Sequence, residues 1–251
     1  MKILKWIKSK KNTYILEMSN KSTITLYDDI VLKYNLLLRK EIKDQELSEI
    51  IKANQDLKSY YESLNYLNKK MRSQKEVENF LKKKEYSDEV ILKTINRLKK
   101  EGYINDELVE ESFIHDMLTL TLNGPLKIKA GLEKLGINRT EEISKIPEEI
   151  WIERINKLIA KKESLLKENS ITVAKQKLSN YLYLNGYEKE LFNPILNNIK
   201  MEENLENLQK EKDKILKKLA SKYQGKELNY RLRMKLYQKG YKMEDIEKII
   251  N

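Results

Sequence analysis

A short motif recurs four times along the chain at nearly constant spacing. In each copy a leucine is followed four residues later by glycine or glutamate, and then directly by tyrosine or isoleucine. The copies are Leu81…Glu85-Tyr86, Leu132…Gly136-Ile137, Leu182…Gly186-Tyr187 and Leu236…Gly240-Tyr241, and their leucines are 51, 50 and 54 residues apart. A period of this length is typical of helical repeat proteins.

The motif is typical of the end of a helix. A glycine after the last turn can take the left-handed conformation that stops a helix, and the apolar residue after it packs back on that helix. A second helix then begins within a few residues: Ser87-Asp88 precedes apolar residues at helical spacing, among them Ile91 and Ile95. With about three helices in each unit of about 50 residues, no unit buries its apolar stripe alone, so the units are expected to stack.

Helix starts agree with this division. Ser73 and Glu76 have the spacing of a capping box, which predicts a helix beginning at Gln74. The three prolines, Pro125, Pro147 and Pro194, are predicted to lie in first helical turns, where a missing N–H is tolerated. None of them is expected to break a helix.

The first fifty residues have a different character. Residues 13–18 and 23–27 are rich in β-branched and aromatic residues and flank a turn-like segment, which predicts a small hairpin. Two helices are predicted to follow it. The predicted fold is therefore all-α, with tandem three-helix repeats stacked into an elongated curved array and a small N-terminal β-hairpin and helix segment.

The predicted domain organisation follows from these signals. It comprises an N-terminal hairpin and helix segment at 1–55, then helical repeats at 56–104, 105–160, 161–210 and 211–251.

Composition excludes several classes of function. The chain has no cysteine and a single histidine, His115, so no disulfide, thiolate nucleophile or Cys-based metal site can form, and a Ser-His-Asp site is not expected. Nucleotide-binding glycine loops are absent. We expect no cofactor, no metal and no enzymatic activity. No apolar run approaches the ~18 residues of a membrane span and the basic N-terminus lacks a signal peptide pattern, so we expect a cytoplasmic protein.

Three segments in a fixed order resemble the RecX family, bacterial regulators of the RecA recombinase. They are residues 71–81 (MRSQKEVENFL), residues 102–107 (GYINDE) and residues 124–129 (GPLKIK), the last followed by Leu132 and Gly136-Ile137. The resemblance is strongest over about residues 60–140. Two features depart from the family pattern: Glu85 stands where a glycine is usual, and residues 117–122 lack basic residues before the Gly-Pro.

The resemblance implies a regulator without chemistry of its own. Family members are stacks of three-helix repeats that lie in the helical groove of the RecA filament on single-stranded DNA. The expected partner is therefore the RecA filament, with single-stranded DNA as a further candidate, and we expect a monomer. The expected effect is inhibition or modulation of ATPase and strand-exchange activity in recombination and DNA repair.

Basic residues supply the candidate contacts. The chain carries 50 Lys and Arg against 39 Asp and Glu, a net charge of +11. If equivalent positions on the repeat helices face one side, they form a basic track suited to phosphates or an acidic groove. The candidates are Arg72, Lys75, Lys127, Lys129, Lys175, Lys177, Arg231, Arg233 and Lys235. A solvent-exposed lysine-rich surface that binds no partner would have the same sequence pattern.

Two functions therefore compete on sequence alone. The first is a non-enzymatic regulator of the RecA filament. The alternative is a stand-alone helical repeat protein that binds nucleic acid without sequence preference. Exposed tyrosines could stack bases in the second case, although tyrosines such as Tyr60 and Tyr66 lie at helical spacing beside leucines, which favours packing in the core. The dependence of binding on salt and on the recombinase separates the two functions.

Overall fold

A computed structural model describes residues 2–9, 12–139, 141–199 and 203–250. The chain divides into two units. The first comprises Met1–Glu110 with Leu135–Ile137, and the second comprises Glu111–Lys134 with Asn138–Asn251. The apolar core clusters lie within the units, and the predicted fold class, mostly helical with a small N-terminal sheet, is confirmed.

The first unit opens with a three-stranded antiparallel sheet. Its strands are β1 (Ile3–Ser9), β2 (Thr13–Met18) and β3 (Thr23–Tyr27). Strand β2 lies in the middle, with β1 and β3 paired to its two edges. The hairpin of β2 and β3 matches the prediction, but the predicted segment lacked β1. The apolar residues of β1 do not alternate strictly with its lysines, so the period-2 signal of a strand is weak in this segment.

The helices of the first unit contribute to two apolar cores. They are α1 (Asp28–Lys33), α2 (Asp44–Leu67), α3 (Gln74–Lys83), α4 (Asp88–Lys100) and the start of α5 (Asp106–Leu120). One core joins the sheet to α1 and the beginning of α2 through Leu16, Leu26 and Ile50, each fully buried. A second core joins the end of α2 to α3 and α4 around Leu81 and Leu98.

The second unit is helical throughout its described part. Its elements are the rest of α5, α6 (Pro125–Lys134), α7 (Glu141–Ser144), α8 (Glu148–Ala160), α9 (Glu163–Glu168), α10 (Ile171–Leu184), α11 (Lys189–Asn198), α12 (Leu205–Leu219), α13 (Gly225–Gln238) and α14 (Met243–Ile250). Its last three helices close a core around Leu208, Leu232 and Leu236.

The recurring motif ends four equivalent helices, as predicted. The leucines of the motif, Leu81, Leu132, Leu182 and Leu236, are all fully buried. The residue four positions later has a positive φ in each case: 62° at Glu85, 84° at Gly136, 89° at Gly186 and 85° at Gly240. We refer to these four positions as the cap residues, and to α3, α6, α10 and α13 as the repeat helices.

Local signals for helix starts are confirmed at α3 and α6. Ser73 Oγ accepts a hydrogen bond from the amide of Glu76, and the Glu76 carboxylate accepts one from the amide of Ser73, which completes the capping box. Pro125 is the first residue of α6, as expected. The prediction for Pro194 was wrong, because it lies inside α11 rather than in its first turn. The short α11 nevertheless continues to Asn198.

Two predicted boundaries fall inside helices. Helix α2 runs through residue 55, and α12 runs through residue 210. The division into four repeats between residues 56 and 251 stays a prediction.

Candidate interaction surface

The end of one repeat helix meets the start of the preceding one. After α10, the carbonyl oxygens of Asn185 and Gly186 accept hydrogen bonds from the amides of Gly124 (2.7 Å) and Leu126 (3.0 Å) at the start of α6. A Cβ on Gly186 would lie only 2.6 Å from the backbone nitrogen of Lys127. Only glycine allows this approach, so the cap residue both ends α10 and seats it on α6.

The same arrangement occurs at two other cap residues. A Cβ on Gly240 would lie 2.8 Å from Ser170 Oγ at the start of α10, and Ser170 Oγ donates a hydrogen bond to the Lys239 carbonyl at 2.8 Å. A Cβ on Gly136 would lie 2.8 Å from two side-chain carbons of Lys75 in α3. At Gly186 and Gly240 the partially negative end of one helix thus meets the partially positive start of another, which is an attractive arrangement of dipoles.

Glu85, the first cap residue, departs from glycine for a structural reason. It is exposed, and its φ of 62° places it in the left-handed region. The other three caps are glycines packed against a helix start. A side chain is tolerated at Glu85 because its Cβ lies at an exposed position.

A buried arginine holds the connection between α5 and α6. Arg154 of α8 is only 6% exposed, and its guanidinium donates hydrogen bonds to backbone carbonyls in the last turn of α5 and just after it. The acceptors are the carbonyl oxygens of Leu118 (2.7 Å), Met117 (3.2 Å), Thr121 (2.7 Å) and Asn123 (3.3 Å). A single cation therefore satisfies carbonyls that the end of a helix leaves without intrahelical partners.

Tyr187, directly after the cap Gly186, completes this connection. Its side chain is fully buried, and its hydroxyl donates a hydrogen bond to the Leu122 carbonyl at 3.0 Å. Burial raises the pKa of Tyr187, while nearby Arg154 opposes the rise. The phenol therefore stays protonated at neutral pH and keeps its role as a donor. The ring also meets Trp151 edge-on, with centroids 6.4 Å apart.

Sequence reasoning missed Arg154 and Tyr187 as residues that hold the junction. Glu110 of α5 is likewise only 3% exposed, although it is a carboxylate in a chain rich in surface charge. The only advance signal was the apolar neighbourhood of Arg154, which follows Trp151 and precedes Ile155 in an amphipathic helix.

Two of the nine basic candidates lie at the start of α3. Arg72 is largely buried, pairs with Glu76 at 2.9 Å and stacks on the ring of Tyr66 at 4.3 Å. Its position is thus fixed by packing within the unit. Lys75 is exposed, although the carbons of its side chain lie beneath Gly136.

The candidates on α6 also differ in environment. Lys127 is exposed at the junction with Gly186. Lys129 is exposed and lines a cleft of about 750 Å³, whose wall includes Trp151 and the carboxylates of Glu188 and Glu190. The charged lining of this cleft is therefore mixed, with acidic as well as basic side chains.

The two candidates on α10 lie farther along their helix from its first residue than the two candidates on α6 do. Lys175 is half-buried, and Lys177 is exposed and donates a hydrogen bond to the side-chain oxygen of Asn169 at 2.7 Å. Thr172 and Val173 occupy the place beside the cap Gly240 that lysines occupy at the other two junctions.

On α13, Arg231 is exposed, pairs with Glu227 at 3.0 Å and covers the ring of Tyr223 at 4.1 Å. Arg233 is half-buried, and Lys235 is exposed in a shallow cleft between α12 and α13.

The nine candidates do not all point the same way. Residues two positions apart on a helix, such as Lys127 and Lys129, diverge by roughly 200°. Counted back from the cap glycine, however, one register is shared: Lys127, Lys177 and Arg231 each lie nine residues before the cap, and all three are exposed. The structure therefore places one exposed cation at the same position on three repeat helices.

The described residues contain little that suggests catalysis. Within these ranges no group of three His, Asp or Glu side chains is arranged to hold a metal ion, and His115 is exposed. Among the described helices, none is both long and apolar enough to cross a membrane.

Repeat helices that dock end to start, with exposed polar surfaces and cores rich in leucine and isoleucine, define a protein of the helical repeat class. The sequence is 32% identical over 260 residues to regulatory protein RecX of Streptococcus uberis, a match that covers 100% of this chain and 99% of that protein. It is 33% identical to regulatory protein RecX of Streptococcus sanguinis, covering 98% and 97%. The chain belongs to the RecX family.

Further comparisons agree with this assignment. Residues 60–98 match the family model described as RecX, first three-helix domain. A crystal structure of regulatory protein RecX shares the fold with a TM-score of 0.64 and 22% identity, covering 76% of this chain and 97% of that one. RecX from Lactobacillus salivarius is 27% identical with a TM-score of 0.54, covering 58% and 96%.

Proposed function

We propose that this chain is a non-enzymatic regulator that binds the RecA recombinase filament, in its helical groove, and inhibits or modulates its ATPase and strand-exchange activity. The observation that carries the proposal is the full-length match to proteins named regulatory protein RecX. A regulator of the recombinase acts in the cytoplasm and as a monomer along the filament.

The exposed cations of the repeat helices are the proposed contacts. Lys127 and Lys177 occupy the same register and leave their charges at the surface. A series of cations at repeat spacing can pair with a series of acidic groups on successive protomers of a filament, so several weak contacts add to one strong attachment. Charge complementarity of this kind acts mainly on the rate of association and on specificity.

The experiment is a titration of the recombinase from the same organism. Its ATPase rate in the presence of single-stranded DNA is measured while this protein is added at ratios well below one per protomer. Suppression at such ratios is expected, because one bound regulator affects many protomers of a filament. An unchanged rate up to equimolar protein would contradict the proposal.

The competing function, nucleic-acid binding alone, predicts a different pattern. The recombinase would then be suppressed only when enough protein is present to cover the DNA, and suppression would disappear when the DNA is in excess.

A further inference from the structure

The positive charge of the chain is concentrated in one short segment. Residues 210–242 contain 12 Lys and Arg but only three Asp and Glu, a net charge of +9 out of +11 for all 251 residues. The segment covers most of α12 and all of α13. A polyanion is therefore attracted to this part of the second unit more strongly than to the nearly neutral remainder.

One face of α13 exposes large apolar side chains. Tyr230 is 63% exposed, Met234 is 38% exposed and Tyr237 is 55% exposed. Their spacing of four and seven residues places them in a row along the same face. The row lies opposite the buried Leu232 and Leu236, so packing in the core does not account for it.

Cations lie on both sides of this row. At 100° per residue, Lys226 and Arg233 fall on one side of the row, and Arg231 and Lys235 fall on the other, where Arg231 is paired with Glu227. Lys235 also borders a cleft of about 310 Å³ between α12 and α13. The other charged residues that line this cleft are Glu211, Lys214, Lys218 and Lys239, so the cleft itself is basic.

We propose that this face of α13 binds single-stranded nucleic acid, with bases stacked on the rings of Tyr230 and Tyr237 and phosphates held by the flanking cations. The two rings are two helical turns apart, about 10.5 Å along the axis. Exposed aromatic rings in a basic groove bind single strands without sequence preference, because every base has a π-face.

Other anionic partners fit the observations less well. An acidic protein segment would pair with the cations but would leave the row of two tyrosine rings without a role. A duplex keeps its bases stacked inside, so it offers phosphates but no base faces to the rings. The inference goes beyond the proposed function, since binding at this face needs no recombinase and does not involve Lys127 or Lys177.

The test measures the anisotropy of a fluorescein-labelled 20-nucleotide oligothymidylate with this protein alone. The variant Tyr230→Ala with Tyr237→Ala is expected to bind at least about 20-fold more weakly, because each stacked base contributes several-fold or more to affinity. The matched control is Tyr103→Ala with Tyr183→Ala, which removes two rings that are 51% and 57% exposed elsewhere. The control should bind within about two-fold of the unchanged protein.

A second pair of variants tests the cations. Lys226→Ala with Lys235→Ala is expected to reduce the slope of log affinity against log salt by about 1.4, since each lost contact with a single strand removes about 0.7. Lys99→Ala with Lys100→Ala removes the same charge from the exposed end of α4 and should leave the slope unchanged.

The outcomes are distinct. The proposal would be overturned if Tyr230→Ala with Tyr237→Ala bound the oligothymidylate as tightly as the control variant does. It would also be overturned if this α13 variant lost duplex binding and single-strand binding to the same extent. Retained binding to the oligothymidylate together with lost suppression of the recombinase would also overturn it, and would assign the face to a protein contact. All substituted side chains are exposed, so circular dichroism melting should be unchanged. The recombinase titration, run in parallel, reports on the proposed function separately.

Discussion

The carbonyl oxygen of Gly186 accepts a 3.0 Å hydrogen bond from the amide of Leu126, which joins the end of α10 to the first turn of α6. The bond satisfies a carbonyl after one helix and an amide at the start of another, two groups that helix ends leave without intrahelical partners. Within the described residues, the caps Gly136 and Gly240 also approach the start of another helix, and each of them is a glycine.

Replacing Gly186 by alanine is expected to destabilise the chain by about 3 kcal/mol in urea unfolding. Its φ of 89° costs an L-residue about 1–2 kcal/mol. The clash of the new Cβ with the Lys127 backbone at 2.6 Å adds a cost of similar size.

Gly102→Ala is the matched control for this change. Gly102 also has a positive φ, 78°, but a Cβ there would meet nothing within 4 Å. It should lose only the conformational part, about 1–2 kcal/mol. Equal losses for the two variants would mean that the junction itself contributes nothing.

Arg154→Met should destabilise the chain by about 3 kcal/mol, although methionine keeps an apolar stem of similar length. The reason is that buried carbonyls at the end of α5 lose their donors, and an unsatisfied buried group costs about 1–3 kcal/mol. Urea unfolding followed by tryptophan fluorescence measures the loss, because Trp151 lies beside Arg154. A change below about 0.5 kcal/mol would show that water replaces the guanidinium at no cost.

The stability of the chain should depend on the charge of Glu203. Burial raises the pKa of this carboxyl, against the opposing effect of the Ile171 amide, which donates to it at 3.3 Å. Because the folded-state pKa lies above the unfolded one, this contribution is complete below the unfolded value and is lost as pH rises through the folded value. Glu203→Gln keeps an acceptor for Ile171 and should therefore raise the melting temperature at pH 7, with no gain near pH 4.

Glu211 provides a control of opposite sign. Hydrogen bonds from Lys239 and Lys214 lower the pKa of its carboxyl, so its contribution is present above the unfolded pKa and is lost as pH falls. Glu211→Gln should lower the melting temperature at pH 7. If both variants moved the melting temperature in the same direction, the assigned causes would be wrong.

Local signals made much of the helical fold predictable. The buried Leu132 and Leu182 and the left-handed Gly136 and Gly186 follow from a leucine and a glycine at fixed spacing, because the end of a helix depends on its own last turns. The capping box at Ser73 is equally local. Strand β1 was not predictable in this way, since its stability comes from pairing with β2 rather than from a pattern of its own.

The residues that hold the junctions could not be predicted from the sequence. Arg154 reaches carbonyls 31–37 residues away in sequence, and Tyr187 reaches one 65 residues away. The apolar neighbours of Arg154 are a local sign of burial, but they do not say which carbonyls its guanidinium reaches. The same limit applies to Arg72, which resembles a surface cation in sequence but stacks on Tyr66.

The exposed cations in a common register lead to the prediction that concerns the proposed function. Lys127→Glu with Lys177→Glu should raise the concentration of protein that half-suppresses the recombinase ATPase by at least about ten-fold, because two attractive contacts with an acidic groove become repulsive. Neither residue is buried, and glutamate is favourable near the start of α6, so helicity and melting temperature should change little. The control, Lys82→Glu with Lys99→Glu, makes the same change of charge at exposed positions in the first unit. Equal suppression by both variants would show that net charge alone matters and that the repeat helices do not carry the contact. A selective loss in the first variant, reduced at high salt, would assign the filament contact to the register shared by α6 and α10.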